Sequence, residues 1–590
     1  MAALLAAAAA GCDDRKDAPV TAETKGPAEV VASGPLASLE APPTVLLFGG
    51  TQSPEALVRR VAALAPGGSM LTAAEIARGI QTKFKLSDPG ALDLSKPVRF
   101  AVVEPKKHKE PMALCVGTKG RDAFAAALPA TKKAGEGGNA YRYEIGEGKT
   151  AYVGFIDDFA VLTESPQLFA DARAFLTKLL GAAVSGEGAF VVSVTNAATM
   201  YRAEIEQGLG ELRKQVAEGA KASPLGGGAQ ATALGAMEWL KQTLADIDRA
   251  HVVLAAVEDG VRASAQLRPK AGSGFEKSMK LLEGGRPLPL LAKLPPKSLL
   301  VAAVAVDPER AAENLGGVLG WGLRLGVGTG GTEPEKLAAV DEAMRAYWKG
   351  TTGEWATLVV PSASALGVDI ASIAGVRDAE AVRGALAKLR AHAAAKELAG
   401  LYEALGVKAS VKEAAYRVGS VAVDTVTAEA APAKDASPRA PMDPARVRAA
   451  GAESDPLREL VLDVMSSHTA VGAEQVVIAL GRQARPLVEA VMGGKLEGGL
   501  DKTPGLGRAR AAAAPGQFLL LYVQPVDLLK RLKLDGTSLF GGKLDAVPPS
   551  EMGIALSAGA KDGGLELVLD VPAEQGRAVL GLFALSQRGR

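Results

Sequence analysis

The chain is short of aromatics, cysteine, histidine and net charge, and each shortage removes a class of function. Phe, Trp and Tyr together make up 4% of 590 residues, too few for platforms on which bases or sugar rings stack. Lys and Arg number 67 against 66 Asp and Glu. No basic surplus exists to condense on phosphates, so nucleic acid is not an expected partner. The four histidines, His108, His251, His392 and His468, show neither HxxxH nor HExxH spacing. A zinc centre has little to stand on, and no metal or cofactor is expected. Of the two cysteines, Cys115 lies in the apolar run Met112–Val116 and reads as a buried, inert thiol. Cys12 has another use, argued below, so no disulfide framework remains.

Catalytic motifs are missing as well. No GxSxG elbow and no SDN/KTG set occurs. Leu325–Gly331 (LGVGTGG) has the glycines of a phosphate cradle, but Thr332-Glu333-Pro334-Glu335 follows where a Lys-Ser/Thr pair is needed. It is expected to be an inter-helix loop. Asp157 and Asp158, near Glu144 and Glu147, could be hydrolytic carboxylates, yet adjacent residues in a strand point to opposite faces. A solvated turn is expected there. Lys106-Lys107-His108-Lys109 is a basic cluster that reads as another solvated turn, or as a contact for anionic lipid headgroups. No catalytic residue is assigned.

What the chain has is apolar content, 48% of it, enough for roughly two to four well-buried domains at this length. Residues 1–11 read MAALLAAAAAG and precede Cys12. Small residues before a cysteine, behind a short apolar stretch, resemble the lipobox of bacterial lipoprotein signal peptides. That resemblance implies that Cys12 carries lipid and begins the mature protein. Ala9 stands where Leu is commonest, and no Lys or Arg precedes the apolar run. A spanning helix is excluded, because about 20 apolar residues are needed and only about 12 are present. Residues 12–43 are polar and rich in Pro and Ala, and read as a flexible tether. Asp13 and Asp14 resemble an inner-membrane retention signal used in some bacteria, which leaves inner and outer membrane both open.

From Thr44 onward one phrase recurs: apolar run, capping residue, helix. Ser298–Leu319 shows it best. Leu299–Val306 reads as a strand, Asp307 as an N-cap, and Pro308 as a first helical residue with no N–H to lose. The phrase is followed by strand pairs and hairpins in the same order from residue 44 and again from about residue 295. RDAFAAALPA (121–130) corresponds in role to RDAEAVRGALAKL (377–389). VRASAQLRPKAGSGFEKSMKLL (261–282) corresponds to LELVLDVPAEQGRAVLGLF (565–583). The expected fold is α+β, with two related halves, 44–285 and 286–590, each a mostly antiparallel sheet with helices packed on a face. Three short strands are expected at 409–411, 415–418 and 420–426, and a mobile, Ala/Pro-rich excursion at 428–456.

PPKSLLVAAVAVDPE (295–309), ALDLSKPVRFAVV (91–103) and PGQFLLLYVQPVDLL (515–529) resemble the recurring phrases of uncharacterised bacterial envelope lipoproteins built from a repeated domain of unknown function. The resemblance implies a periplasm-facing, non-catalytic protein and transfers no functional residue. Three functions follow as expectations. The first is a lipid-anchored, non-catalytic binding or scaffold module with membrane and envelope-protein partners. The second is a carrier of lipid or apolar small molecules. The third is an envelope hydrolase with a dispersed site. A deep apolar cavity favours the carrier, and perturbed carboxylates in a cleft favour the hydrolase.

Overall fold

The computed structural model describes residues 35–578, apart from 63–72, 135–139, 223–233, 313–333, 394–406, 431–461, 533–549 and a few shorter stretches. The chain is mixed α+β, about 38% helix and 38% strand. Its contacts divide it into two compact units. One draws on residues 1–202, 244–276 and 564–590, the other on 203–243 and 277–563. The expected signal peptide, Cys12, the excursion at 428–456 and Leu325–Gly331 all fall outside the described residues, save the first few residues of the excursion.

The first unit contains β1 (Val45–Thr51), β2 (Val98–Val103), β3 (Met112–Gly117), β4 (Lys133–Ala134) and β5 (Ala140–Gly146). It continues with β6 (Lys149–Ile156), β7 (Phe159–Thr163), β8 (Gly188–Ser193), β9 (Ile247–Val257) and β10 (Gly260–Pro269). The second unit contains β11 (Leu300–Ala305), β12 (Thr351–Pro361), β13 (Val368–Val376), β14 (Val407–Val418) and β15 (Val421–Ala430). After these come β16 (Ser467–Val471), β17 (Gln475–Leu480), β18 (Gln517–Val523) and β19 (Ile554–Lys561). The chain then returns to the first unit with β20 (Gly564–Pro572).

All pairings within each unit are antiparallel. The first runs β4-β5-β6-β7-β3-β2-β1-β8-β9-β10-β20. The second runs β14-β15-β16-β17-β13-β12-β11-β18-β19. Strand for strand, from β14 to β19, this is the order of β4 to β9. Short local connections account for the hairpins, while β1 and β11 sit centrally because each takes its neighbours from distant parts of the chain.

Capping chemistry starts the helices where the sequence places them. The Asp307 carboxylate accepts the N–H groups of Glu309 and Arg310, both at 3.1 Å. Asp378 does the same for Glu380 and Ala381 at 3.0 Å. Ser165 Oγ accepts from Leu168 N at 3.2 Å, with Pro166 opening the helix Pro166–Gly181. That helix buries Leu168, Ala172, Phe175, Leu176 and Leu179, one stripe at helical spacing.

Three expectations are corrected. Helices and loops cover both faces of the central strands. Cys115 belongs to one core cluster and Val116 to another. Ala371 and Ile373 face one core, and Ala374 and Val376 face a second. Neighbouring strand residues point to opposite sides, so β3 and β13 must be apolar on both. The folded part also begins inside the expected tether. Pro35–Ser38 is a helical turn, Leu36 is fully buried, and its N–H reaches Ala183 O at 3.2 Å. Finally, the three strands expected at 409–426 are two long ones. β14 carries a bulge, with its register to β15 slipping between Lys412 and Tyr416 and Ala414 at φ +46°.

A charged side chain lies wholly inside the first unit. Arg99 on β2 is fully buried and has five oxygen acceptors. Its Nε donates to Leu179 O at 3.3 Å, and Nη1 donates to Thr51 O at 2.6 Å and Val98 O at 3.2 Å. Nη2 donates to Ala182 O at 2.9 Å and to Gln52 Oε1. Leu179 and Ala182 end the helix Pro166–Gly181, where unpaired carbonyls and the helix dipole favour a cation. Burial brings the guanidinium down to about 10, which leaves it charged at neutral pH. Arg99 is a staple between β1, β2 and the helix end. Opposite it in the ladder, the Cys115 thiol is fully buried and pushed up to about 12 by that burial, as expected of an inert thiol.

Candidate functional site

The residues that drew notice in the sequence do not converge. Asp157 and Asp158 form the exposed turn between β6 and β7, with Asp157 at φ +48°. The basic cluster is an ion-paired latch. Lys107 Nζ lies 2.8 Å from Asp171, and His108 lies 3.3 Å from Asp171 through Nε2 and 3.7 Å from Glu164 through Nδ1. These contacts seal the β2–β3 loop against the helix Pro166–Gly181 that follows β7.

The same two elements meet differently in the second unit. There the β12–β13 loop, Ser362–Gly367, carries no charged residue. The helix that follows β17, Arg485–Met492, begins with Arg485-Pro486-Leu487. Between loop and helix lies an open cleft of about 620 Å³. Its walls are Pro295, Val360, Pro361, Ala363, Pro486, Leu487 and Ala490, and Ser362, Gln483, Lys297 and Arg485 supply polar groups. The lining also includes Asp369, the second residue of β13.

Asp369 is placed by the ladder. Ile370 pairs with Leu480, so Asp369 sits beside Gly481, which takes φ +117° to turn the chain from β17 toward the helix. That conformation suits glycine. Asp369 is only 6% exposed, and its Oδ1 has no hydrogen-bond partner among the described residues. Burial raises its pKa, and the hydroxyls of Ser362 and Ser364 work against the rise. The nearby Asp463 carboxylate raises it further, and His468 lowers it.

No protein family, curated protein or solved structure matches this chain. The chemistry of the cleft therefore rests on its own geometry. The charged groups around Asp369, Lys297 aside, are already engaged. Arg482 Nε donates to Asp463 Oδ1 at 2.9 Å. Arg485 Nε donates to Glu489 Oε1 at 2.7 Å, and its guanidinium lies 4.5 Å from the centre of the Tyr416 ring. The Tyr416 hydroxyl and His468 Nδ1 are 3.1 Å apart. Burial lowers the pKa of His468, which is neutral at pH 7, and pushes Tyr416 up to about 12. Lys297 is exposed at the mouth. Among the described residues no group of His, Cys, Asp and Glu is arranged to hold a metal ion, and no helix is long and apolar enough to cross a membrane.

The cleft can hold an apolar body, and its lining includes one buried carboxylate with an unpartnered oxygen. The sequence carries a signal for this site that composition and motif reading miss. Asp369 is the sole charge in the run Val368–Val376, otherwise apolar but for Ser372. A lone carboxylate in a strand buried on both faces needs a reason.

Proposed function

We propose that this chain is a lipid-anchored cell-envelope protein, tethered through Cys12 and facing the periplasm from the inner or outer membrane. Its folded part is a non-catalytic binding module, and the preferred cargo is a lipid or other apolar small molecule seated over Asp369. The observation that carries the binding reading is the unpartnered Asp369 Oδ1 in an apolar-walled cleft of about 620 Å³. An unpaired buried acceptor costs about 1–3 kcal/mol, and a ligand donor would remove that cost. The hydrolase reading has less support. A hydrolase needs a nucleophile, a base and an orienting group in line, whereas His468 Nδ1 faces Tyr416 and Asp463 is held by Arg482. The matching strand orders support a duplicated half, one copy sealed by its own loop and the other left open.

The test is mass spectrometry of the full chain made in a bacterial host. Lipid on the N-terminal peptide at Cys12, absent in Cys12→Ser, supports the anchor; an unmodified Cys12 sinks it. Stoichiometric lipid released from the folded part supports the carrier. A ligand-free mass favours a protein scaffold instead.

A further inference from the structure

We infer that the head group taken by the cleft is a hydrogen-bond donor, a hydroxyl or primary ammonium on a single apolar chain, seated on Asp369 Oδ1. The inference rests on the reading of this cleft as an apolar-ligand site and adds the chemistry of the ligand.

The argument is one of unmet valence. Asp369 Oδ1 is buried, accepts nothing from the described residues, and can be satisfied only by a donor. The apolar walls, Val360, Pro361, Pro486 and Leu487, bring no side-chain donor to it. An anionic head, carboxylate or phosphate, would meet the Asp369 carboxylate, which the 4%-exposed Asp463 already disfavours as an anion. The two nearby arginines are committed. Arg482 is taken by Asp463, and Arg485 by Glu489 and the Tyr416 face. His468 is neutral at pH 7, and Lys297 is at the exposed mouth. Like charges brought together out of water repel strongly, whereas an ammonium or hydroxyl turns the same oxygen into a charge-assisted hydrogen bond. The apolar chain then lies along Pro361, Pro486 and Ala490 toward the mouth.

The test compares three probes with one tail, dodecylamine, dodecanol and dodecanoate, each titrated into the full chain by calorimetry below its micelle concentration. Dodecylamine and dodecanol are expected to bind at least about tenfold more tightly than dodecanoate. Asp369→Leu should erase that preference while the tail still binds. Asp369→Asn, which keeps an acceptor, should retain dodecanol and lose the advantage of dodecylamine. Ala490→Phe, which fills the cleft, should weaken all three. Dodecanoate binding as tightly as the others overturns the head-group assignment and leaves the cleft reading standing. Failure of all three to bind overturns both. A preference that survives in both Asp369 variants also overturns the assignment.

Discussion

Replacing Arg99 by methionine keeps most of the buried stem and removes the guanidinium. Two effects then oppose each other. The folded state no longer holds a dehydrated cation, which by itself favours the variant. Against this, five hydrogen bonds vanish. Leu179 O still accepts Ala182 N–H at 3.2 Å, and the exposed Gln52 side chain can turn to water. Thr51 O and Ala182 O lose the donor that faces them. At about 1–3 kcal/mol for each buried carbonyl left unpaired, the loss is about 2–6 kcal/mol. Relief of dehydration brings the expected net destabilisation to about 1–4 kcal/mol. The two units can be followed separately. The described tryptophans, Trp348 and Trp355, lie in the second unit. Cys115 lies in the first, fully buried. Pulse alkylation of Cys115 along a urea gradient, read on its own peptide, therefore reports the first unit, and tryptophan fluorescence the second. With a urea slope of about 1–3 kcal/mol per molar, the alkylation midpoint should fall by at least about 0.3 M. The fluorescence midpoint should stay put. An unchanged or raised alkylation midpoint would refute the staple.

Three further outcomes are expected. Asp369 titrates higher in the folded chain than its ordinary 3.8, so the stability it lends is complete below pH 3.8 and lost as pH rises through the folded value. Asp369→Asn should thus be more stable than the parent at pH 7, with the gap closing near pH 4 in fluorescence-monitored unfolding; a variant weaker at pH 7 contradicts this. At Gly353, φ is +84° and an added Cβ would lie 1.9 Å from Val306 O. Gly353→Ala should cost about 2 kcal/mol or more in the fluorescence transition, and a cost under about 0.5 kcal/mol would show that the turn can yield. His108→Ala removes two contacts of the latch on Asp171 and Glu164. Limited trypsin digestion should then cut faster after Lys106 or Lys107, and an unchanged digestion rate would mean that Lys107 alone holds the loop.

Much of the fold is legible because its signals are local. Asp307-Pro308, Ser165-Pro166 and Asp378 mark helix starts by capping chemistry that acts within a few residues. The strand β2 lies at Val98–Val103, where its apolar run stands. The two-faced cover of β3 and β13 is not local. It depends on which strands become central, and that is decided by pairings such as β13 with β17 across roughly a hundred residues. Leu36 reads as tether because Leu36 and Leu39, a lone pair among Pro, Ala and Ser, are too few to set a period. The candidate site was hidden for a related reason. Asp369 lies roughly a hundred residues from His468 and Arg482 and meets their neighbourhood only when β13, β16 and the β17 turn come together. The β14 bulge at Ala414 likewise depends on register with β15, which no single strand encodes.

The last of the described strands belongs to the first unit. β20 pairs with β10 over eight positions, from Gly260 with Pro572 to Leu267 with Leu565. A ribosome adds about 5–20 residues per second, so the roughly 300 residues separating these strands leave β10 without this neighbour for about 15–60 s. During that interval the N-terminal half has an open strand edge that any extended segment can join. For a chain threaded through an export channel the delay is useful, since early closure would stop its passage. For a chain retained where it is made, the same delay is the time in which two nascent copies can pair by mistake. Ribosomes stalled before Gly564 would catch it in that state.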